Sequence, residues 1–309
     1  MISNKCTICN NAETTLHKIV FPVVDEKKRI SIRQCYQCGN QYSYFDDDIN
    51  VDEYYDDKDY SIKDTKRTIF FQIQKLEYSR VLKKIEKLIS LSSPSLLDFG
   101  SGKGLLLHFA QQLNFNVKGV ETSIPRANYA RDNFNVEIST IPFSEGNIFN
   151  EYFDVITCFH VLEHLTQPTI LFKNLIKDNL KDKGLVVVEV PNINSWQSKW
   201  SGKNWMHLDV PRHLTHFTPK QLKSIIEYSD CSIICEEYFS LHLGIIGMAQ
   251  TIMTKFGYNG FLMADLKHNR KKSLLIKVIL AIPFAMILEL IASFCKRGGI
   301  IRFYAIKNS

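Results

Sequence analysis

The sequence predicts an α/β protein in which helices cover both faces of a mainly parallel sheet, with a small cysteine-containing module ahead of it. From about residue 65, apolar strand segments alternate with amphipathic helices, which is typical of a parallel sheet. A glycine-rich turn at residues 100–104 follows the first of these strands. The 309 residues, 45% of them apolar, suffice for one large core and a small appendage.

The order of the predicted elements follows from hydrophobic periodicity. Apolar residues recur at helical spacing over residues 65–90, and Ser92-Ser93-Pro94 ends this first helix. Residues 185–190 are almost purely apolar and β-branched, as expected of a central parallel strand. The other predicted strands are 96–99, 117–121, 153–159, 232–239 and 300–307, and the other predicted helices are 105–113, 125–133, 169–180 and 220–229.

Charge and composition divide the chain into five regions. Residues 46–59 hold eight acidic residues and one lysine, which is typical of a solvated linker. Residues 267–309 hold nine basic residues and one glutamate, so the basic character is local, and we expect no nucleic-acid partner. The predicted regions are an N-terminal module (1–45), an acidic linker (46–64), a core (65–240), an apolar and basic helical excursion (241–299) and the last strand with the C-terminus (300–309).

The glycine-rich turn is the strongest chemical signal. The segment 97–104 reads Leu-Asp-Phe-Gly-Ser-Gly-Lys-Gly, so a buried strand runs into glycines that let a ligand approach the backbone. Glu121 ends the next strand about 20 residues later, where a carboxylate can accept both hydroxyls of a ribose. The alternative is a tight turn followed by a surface acid.

Three motifs in order resemble the class I S-adenosylmethionine-dependent methyltransferases, over roughly residues 65–240. They are segments 97–104, 153–165 and 188–192. The resemblance implies a Rossmann-like sheet of seven strands with the last strand antiparallel, and S-adenosylmethionine as cofactor. Many relatives have Asp near Thr140, and this chain does not. The implied cofactor-binding residues are Asp98, Gly100, Ser101, Gly102, Gly104, Glu121, Thr122, Thr140, Ile141 and Phe159.

Two Cys-x-x-Cys pairs lie in the first 38 residues. Cys6 and Cys9 are separated from Cys35 and Cys38 by 25 residues, and four thiolates suit tetrahedral Zn²⁺ in a closed structural site. The alternative is four reduced, unliganded thiols. The spacing also resembles the N-terminal zinc module, similar to a zinc ribbon, that precedes some methyltransferase domains, including those of sugar C-methyltransferases.

A loop after the fifth strand of the core, residues 200–219, concentrates histidines and tryptophans. Ligands bind outside the carboxyl ends of parallel strands, and removal of a proton from a hydroxyl or carbon acid suits histidine. Arg212-His213 followed by Phe217-Thr218 resembles the segment that carries the proposed base of sugar C-methyltransferases, with Arg212 where the family has Glu. The alternative is that His213 only orders the loop. The predicted catalytic residue is His213, and the predicted substrate-binding residues are Trp205, His207, Arg212 and His216.

The segment His160-x-x-Glu163-His164 also matches an inverted zinc-protease pattern. Because it begins at a strand end inside a methyltransferase-like motif, we expect Glu163 and His164 to start and cap a helix. His160 then faces the pocket as the second catalytic candidate. A divalent cation at the acid–histidine pair, as in some quinone-directed relatives, is the remaining alternative.

Residues 274–295 are apolar except at Lys277, Pro283 and Glu289. We expect Pro283 to divide the segment into two short helices. Three placements are open: a pair of helices packed on the core or a dimer partner, a peripheral contact with a membrane surface, and a membrane span.

Together these patterns predict an S-adenosylmethionine-dependent methyltransferase of a small molecule, with a sugar or glycan, lipid-linked or free, as the favoured acceptor. The alternatives are a quinone or lipid acceptor, or a non-catalytic cofactor-binding protein whose zinc module mediates interactions. The first residues carry no apolar run, so we expect a cytoplasmic protein, with the inner face of the membrane as the alternative place.

Overall fold

A computed structural model of the chain describes residues 5–10, 17–25, 30–45, 69–268 and 272–309. The predicted acidic linker at 46–64 lies outside these residues. The strands are β1 (His17–Asp25), β2 (Ile30–Cys35), β3 (Gln41–Phe45), β4 (Ser95–Phe99), β5 (Asn116–Val120), β6 (Glu137–Ser139), β7 (Phe153–Phe159), β8 (Leu180–Pro191), β9 (Thr215–His216), β10 (Cys231–Glu237) and β11 (Ile300–Lys307). The helices are α1 (Ile69–Ile89), α2 (Leu105–Gln111), α3 (Ile124–Phe134), α4 (Pro168–Asn179), α5 (Trp196–Ser201), α6 (Pro219–Tyr228), α7 (Leu243–Lys255), α8 (Leu262–His268) and α9 (Lys272–Phe294).

The central sheet has seven strands in the order β10-β11-β8-β7-β4-β5-β6. The five strands from β8 to β6 are parallel, and β11 runs antiparallel between β8 and β10. The predicted α/β class, the seven strands and the antiparallel last strand are therefore confirmed. Strand β8 begins at Leu180, five residues before the predicted start at residue 185.

Helices cover both faces of this sheet because successive strand residues point to opposite faces. Leu97, Ile156 and Val188 contact the helices α4 and α6 on one face. Their neighbours Leu96 and Val155 contact α1, α2 and α3 on the other face. This α/β/α sandwich leaves the carboxyl ends of the parallel strands at one shared edge.

The N-terminal strands form a second sheet with a contribution from the core. Its order is β1-β2-β3-β9, all antiparallel, and β9 belongs to the loop that follows β8. Gln41 pairs with His216 and Tyr42 pairs with Thr215. Although the sequence indicates an independent module over residues 1–45, backbone pairing joins this module to the histidine-rich loop.

The apolar C-terminal segment forms one helix, α9, of 23 residues. The predicted division at Pro283 is wrong, because Pro283 lies inside the helix. Proline removes only one backbone donor, and contacts of α9 with α7 hold the helix on both sides of that position. Ser273–Phe294 is long and apolar enough to cross a membrane, by length and composition only.

Candidate functional site

The glycine-rich loop after β4 takes a conformation that only glycine adopts freely. Gly100, Gly102 and Gly104 have φ angles of +83°, +55° and +71°. A Cβ at Gly100 would lie 2.2 Å from a methyl carbon of Val161, and one at Gly104 would lie 2.7 Å from the Cβ of Ala130. A Cβ at Gly102 would meet no atom within 4 Å. Two glycines therefore permit close packing, whereas Gly102 borders open space at the carboxyl edge.

Two buried carboxylates flank this loop. Asp98, at the end of β4, accepts a hydrogen bond from the Thr157 hydroxyl at 2.7 Å. Glu121 directly follows β5 and accepts one from the Ser123 N–H at 2.8 Å. Burial raises the pKa of Asp98 to about 7, opposed by the Thr157 bond and reinforced by the nearby charge of Glu121. Both carboxyl groups thus lie at the carboxyl ends of the neighbouring parallel strands β4 and β5.

The remaining cofactor candidates follow neighbouring strand ends. Ser101 is buried, with its N–H bonded to the Val120 carbonyl at 2.8 Å. Thr122 is exposed after β5, and Phe159 ends β7 half-buried. Thr140 and Ile141 follow β6, and Ile141 is 74% exposed. The adjacent strands β7, β4, β5 and β6 thus bring these candidates to one edge of the sheet. An extended nucleoside cofactor can bind along such an edge.

His160 lies between two buried carboxylates at the end of β7. Its Nδ1 lies 3.2 Å from Glu163 Oε1, and its Nε2 lies 2.9 Å from Glu189 Oε1. Carboxylates only accept, so both ring nitrogens donate and the imidazolium form fits this geometry. Burial opposes the charge, but the two glutamates raise the pKa of His160 to about 10. The imidazolium form of His160 is thus favoured at neutral pH, although the side chain is 27% exposed, and with both ring nitrogens donating His160 is not placed to take a proton.

The expectation that Glu163 and His164 start and cap a helix is wrong. Residues 162–164 form a single 3-10 turn, and α4 begins only at Pro168. Glu163 is buried, and its Oε2 has no hydrogen-bond partner among the described residues. Glu163 instead lies between two histidines, with its Oε1 3.2 Å from His160 Nδ1 and 4.0 Å from His213 Nε2.

Arg302 binds the second carboxylate oxygen of Glu189, whose first oxygen contacts His160. It is 1% exposed and forms ion pairs with Glu77 on α1, Glu189 on β8 and Glu237 on β10. Glu189, Arg302 and Glu237 are direct neighbours in register across β8, β11 and β10. Burial alone would raise the pKa of Glu189, but Arg302 and His160 hold it well below its ordinary value.

His213 lies on the histidine-rich loop, and its side chain approaches Glu163. Its Nδ1 lies 2.9 Å from the His207 carbonyl, which can only accept, so the proton sits on Nδ1 and leaves the Nε2 lone pair free to accept. Nε2 lies 3.7 Å from Asp209 Oδ2 and 4.0 Å from Glu163 Oε1. Burial and the neighbouring histidines His164 and His216 lower its pKa well below the ordinary value. His213 is therefore a neutral imidazole whose Nε2 faces two carboxylates, while burial disfavours its protonated form.

The four predicted substrate-binding residues are placed differently from one another. Trp205, His207 and His216 are buried. Trp205 Nε1 and His207 Nε2 have no hydrogen-bond partner within the described part of the chain. Arg212 is half-buried and binds Asp209 at 2.6 Å. Three of the four are thus buried, and His207 directs its Nε2 toward Gly247 on α7 rather than toward open space.

The N-terminal module holds this loop in place. The Ser43 hydroxyl donates to the His213 carbonyl at 2.6 Å, so His216 Nε2, 3.0 Å away, is the donor to the Ser43 oxygen. Thr215 Oγ1 donates to Thr7 Oγ1 at 2.6 Å. The module therefore fixes the backbone on both sides of Leu214, directly after the candidate base.

The four cysteines of the module form one cluster. Cys6 and Cys38 have their Sγ atoms 3.5 Å apart, and Cys9 and Cys35 have theirs 3.7 Å apart. All four Sγ atoms lie within 4.8 Å of one another. Zn–S bonds of about 2.3 Å in a tetrahedron place sulfurs about 3.8 Å apart, so this cluster fits a zinc ion.

Sequence reasoning missed four residues of the site: Asp209, Glu189, Arg302 and Glu77. Glu189 and Arg302 are charged residues within apolar runs of β8 and β11, and this was the available signal. Glu77 lies 225 residues from its partner Arg302, so nothing local pairs them.

Comparison with known proteins agrees with the fold and the motifs. The family model described as a methyltransferase domain matches residues 72–236, just over half of the chain. Among solved structures, the plantazolicin methyltransferase BpumL in complex with SAH has a TM-score of 0.51 at 13% identity, covering 84% of this chain and 93% of that one. At this sequence identity, the similarity to the plantazolicin methyltransferase concerns the fold alone.

Two curated relatives carry the same name. The ubiquinone biosynthesis O-methyltransferase of Rickettsia bellii (strain OSU 85-389) is 26% identical over 136 residues, covering 42% of this chain and 56% of that protein. The ubiquinone biosynthesis O-methyltransferase of Histophilus somni (strain 2336) is 22% identical over 206 residues, covering 60% and 86%. The chain thus spans about half the length of the first of these relatives.

The resemblance to class I methyltransferases is therefore confirmed, whereas the resemblance to sugar methyltransferases stays a prediction. The family match covers the glycine-rich loop, both carboxylates and His160. The chain belongs to the family of methyltransferase domains.

Proposed function

We propose that this enzyme methylates a hydroxyl group of a small acceptor, with a sugar or glycan, free or lipid-linked, as the first candidate. The observation that carries the proposal is His213, a neutral imidazole whose Nε2 faces Asp209 and Glu163. A hydroxyl must lose its proton as it attacks a methyl group, and a positioned base speeds such a step by about 10²–10⁴-fold. The two carboxylates offset part of the cost of forming a buried imidazolium.

The cofactor-binding roles at the carboxyl edge are part of the same proposal. Gly100, Gly102 and Gly104 leave room for the methionine portion, and Glu121 accepts hydrogen bonds from the ribose. S-adenosylmethionine supplies an electrophilic methyl group when bound. The chain itself supplies position and exclusion of water, and alignment of two reactants contributes roughly 7–11 kcal/mol to such reactions.

Glu121→Ala should weaken binding of S-adenosylmethionine by about 1–3 kcal/mol. The physical reason is the loss of the hydrogen bonds that the ribose hydroxyls donate to a buried, charged carboxylate. Titration calorimetry of the variant and the wild-type chain measures the difference. Glu151→Ala removes a partly exposed carboxylate elsewhere and serves as the matched control. Equal affinities of the Glu121 variant and the wild-type chain would remove Glu121 from the site.

A ring hydroxyl of a quinone precursor is the second candidate acceptor. The observation that favours it is the name shared by the two curated relatives, which are ubiquinone biosynthesis O-methyltransferases. A phenol is more acidic than a sugar hydroxyl, so it depends less on a base such as His213. Dependence on His213 is therefore a way to separate the two candidates.

The acceptor can be identified with a labelled methyl group. The purified chain is incubated with S-adenosylmethionine labelled at the methyl carbon and with separate nucleotide-sugar, glycan, lipid and RNA fractions of the organism that encodes it. We expect label in a glycan or lipid-linked glycan fraction and none in RNA. Label in a quinone precursor supports the second candidate, and no transfer to any fraction contradicts the proposed activity.

We also propose that Cys6, Cys9, Cys35 and Cys38 hold a structural zinc ion, and that the protein works in the cytoplasm. Cys38→Ser should lose the zinc and, because the module fixes the loop at Ser43 and Thr7, should also slow methyl transfer. Affinity for S-adenosylmethionine should stay unchanged, since the described strands of the module form a sheet with β9, whereas the glycine-rich loop follows β4 in the other sheet. Elemental analysis and calorimetry measure both. Cys295→Ser, at an exposed cysteine, is the control, and wild-type protein without zinc would contradict the assignment.

A further inference from the structure

Helix α9 has one face that is built to stay on the protein. Ala281, Ala285 and Ala292 are buried, and the helix packs on α7 through them. Glu289 is buried and accepts hydrogen bonds from the Gln197 side chain and the Gly299 N–H, both at 2.7 Å. The inner face thus joins α9 to α5, α7 and the start of β11 along its length.

The outer face of the same helix is apolar and uncovered. Ten large apolar side chains between Leu275 and Phe294 are each more than one third exposed, among them Ile279 (69%), Phe284 (65%), Ile287 (54%) and Phe294 (89%). Lys277 is the single exposed charged side chain between residues 273 and 294. At 1.5 Å per residue, 23 residues give a strip about 34 Å long. An exposed apolar surface of this extent marks a site of interaction.

The charges around the strip indicate what covers it. Lys267, Arg270, Lys271 and Lys272 come just before or at the start of α9, and Lys296 and Arg297 follow its end. Four basic residues lie at the start of α9, so two copies of α9 paired in parallel would bring these cations together. An antiparallel pair would set them against Arg297 and Lys296, of which Lys296 also pairs with Glu236 at 2.8 Å. An anionic surface instead complements both ends at once.

The anchoring of the inner face decides the orientation. A helix that crossed a bilayer would have to leave α7 and carry Glu289 into lipid without its partners Gln197 and Gly299. A helix that lies in the plane of the interface keeps these contacts and immerses only the outer face. The inner and outer faces of α9 match the second arrangement.

We propose that α9 is a peripheral membrane-binding helix, which lies in the interface of an anionic phospholipid bilayer with Ile279, Phe284 and Ile287 among the lipids. Binding then combines burial of the apolar strip with attraction between the basic ends and the headgroups. The site is separate from the acceptor and cofactor residues, so the inference does not depend on which acceptor is methylated.

Flotation of the full chain with vesicles tests the inference. The wild-type chain should float with vesicles of phosphatidylcholine and phosphatidylglycerol at low salt, float less as salt rises, and stay down with phosphatidylcholine alone. Phe284→Glu and Ile287→Glu should each lose most of the floated fraction. Ile170→Glu, at a 48% exposed position on α4, places the same charge elsewhere and should float like the wild-type chain. Thermal unfolding and binding of S-adenosylmethionine confirm that each variant is folded.

Each other result overturns the inference. Absence of flotation at every ionic strength, or undiminished flotation of both outer-face variants, removes the membrane-binding role. Resistance of the bound chain to high salt and alkaline extraction indicates a span instead. A dimer in solution that Phe284→Glu dissociates, without any lipid binding, assigns the strip to a second copy of the chain.

Discussion

His213→Ala is expected to lower kcat for methyl transfer by about 10²–10⁴-fold while affinity for S-adenosylmethionine stays nearly unchanged. The reason is the loss of the neutral imidazole whose Nε2 faces Asp209 and Glu163. The pH dependence of the wild-type activity provides independent evidence on the role of His213. Because burial lowers the pKa of His213, activity should persist as pH falls through 6.5, where an ordinary histidine becomes protonated. Single-turnover rates over pH, with the acceptor found by labelling, measure both.

His216→Ala is the matched control for this prediction. His216 is a buried histidine of the same loop, but its Nε2 bonds to Ser43 rather than facing a carboxylate. We expect it to lower stability more than kcat. If both variants lower kcat equally, His213 only orders the loop, and if His213→Ala keeps full turnover, no base acts at this position.

The fold was predictable because its signals are local and repeated. Buried strands such as 153–159 and helices such as 220–229 carry their periodicity within a few residues, and the structure shows them within one residue of the predicted ends. β9 has only two residues and no periodic pattern, so its pairing with β3 could not be foreseen. The predicted division at Pro283 was wrong because proline usually ends a helix, whereas here packing on α7 keeps the helix continuous.

The site was predictable only in part for a similar reason. Glycines in a fixed spacing and paired cysteines identify themselves, and the structure brings the four cysteines together. His160 and His213 could be named, but not that Glu163 lies between them, because that contact joins the end of β7 to a loop some 50 residues later. Their different protonation follows from burial and partners, which a sequence does not show.

Arg302→Met is expected to lower the free energy of unfolding by about 3–5 kcal/mol, the largest stability effect that this structure predicts. Arg302 is 1% exposed, and its removal leaves Glu77 and Glu189 buried without their main counter-charge. Breaking a buried ion pair on one side typically costs this much, because the remaining charges stay desolvated. Urea denaturation of the variant and the wild-type chain, in the absence of cofactor, measures the difference.

Two further variants separate the burial of charge from the loss of the side chain itself. Lys296→Met removes an exposed ion pair with Glu236 and should cost about 0–1 kcal/mol. Adding Glu189→Gln to Arg302→Met removes one stranded charge and should restore part of the lost stability. If Arg302→Met costs no more than Lys296→Met, water reaches these glutamates and the cluster is not buried as described. If the double variant is as unstable as the single one, packing of the arginine side chain, rather than its charge, holds β8, β11 and β10 together.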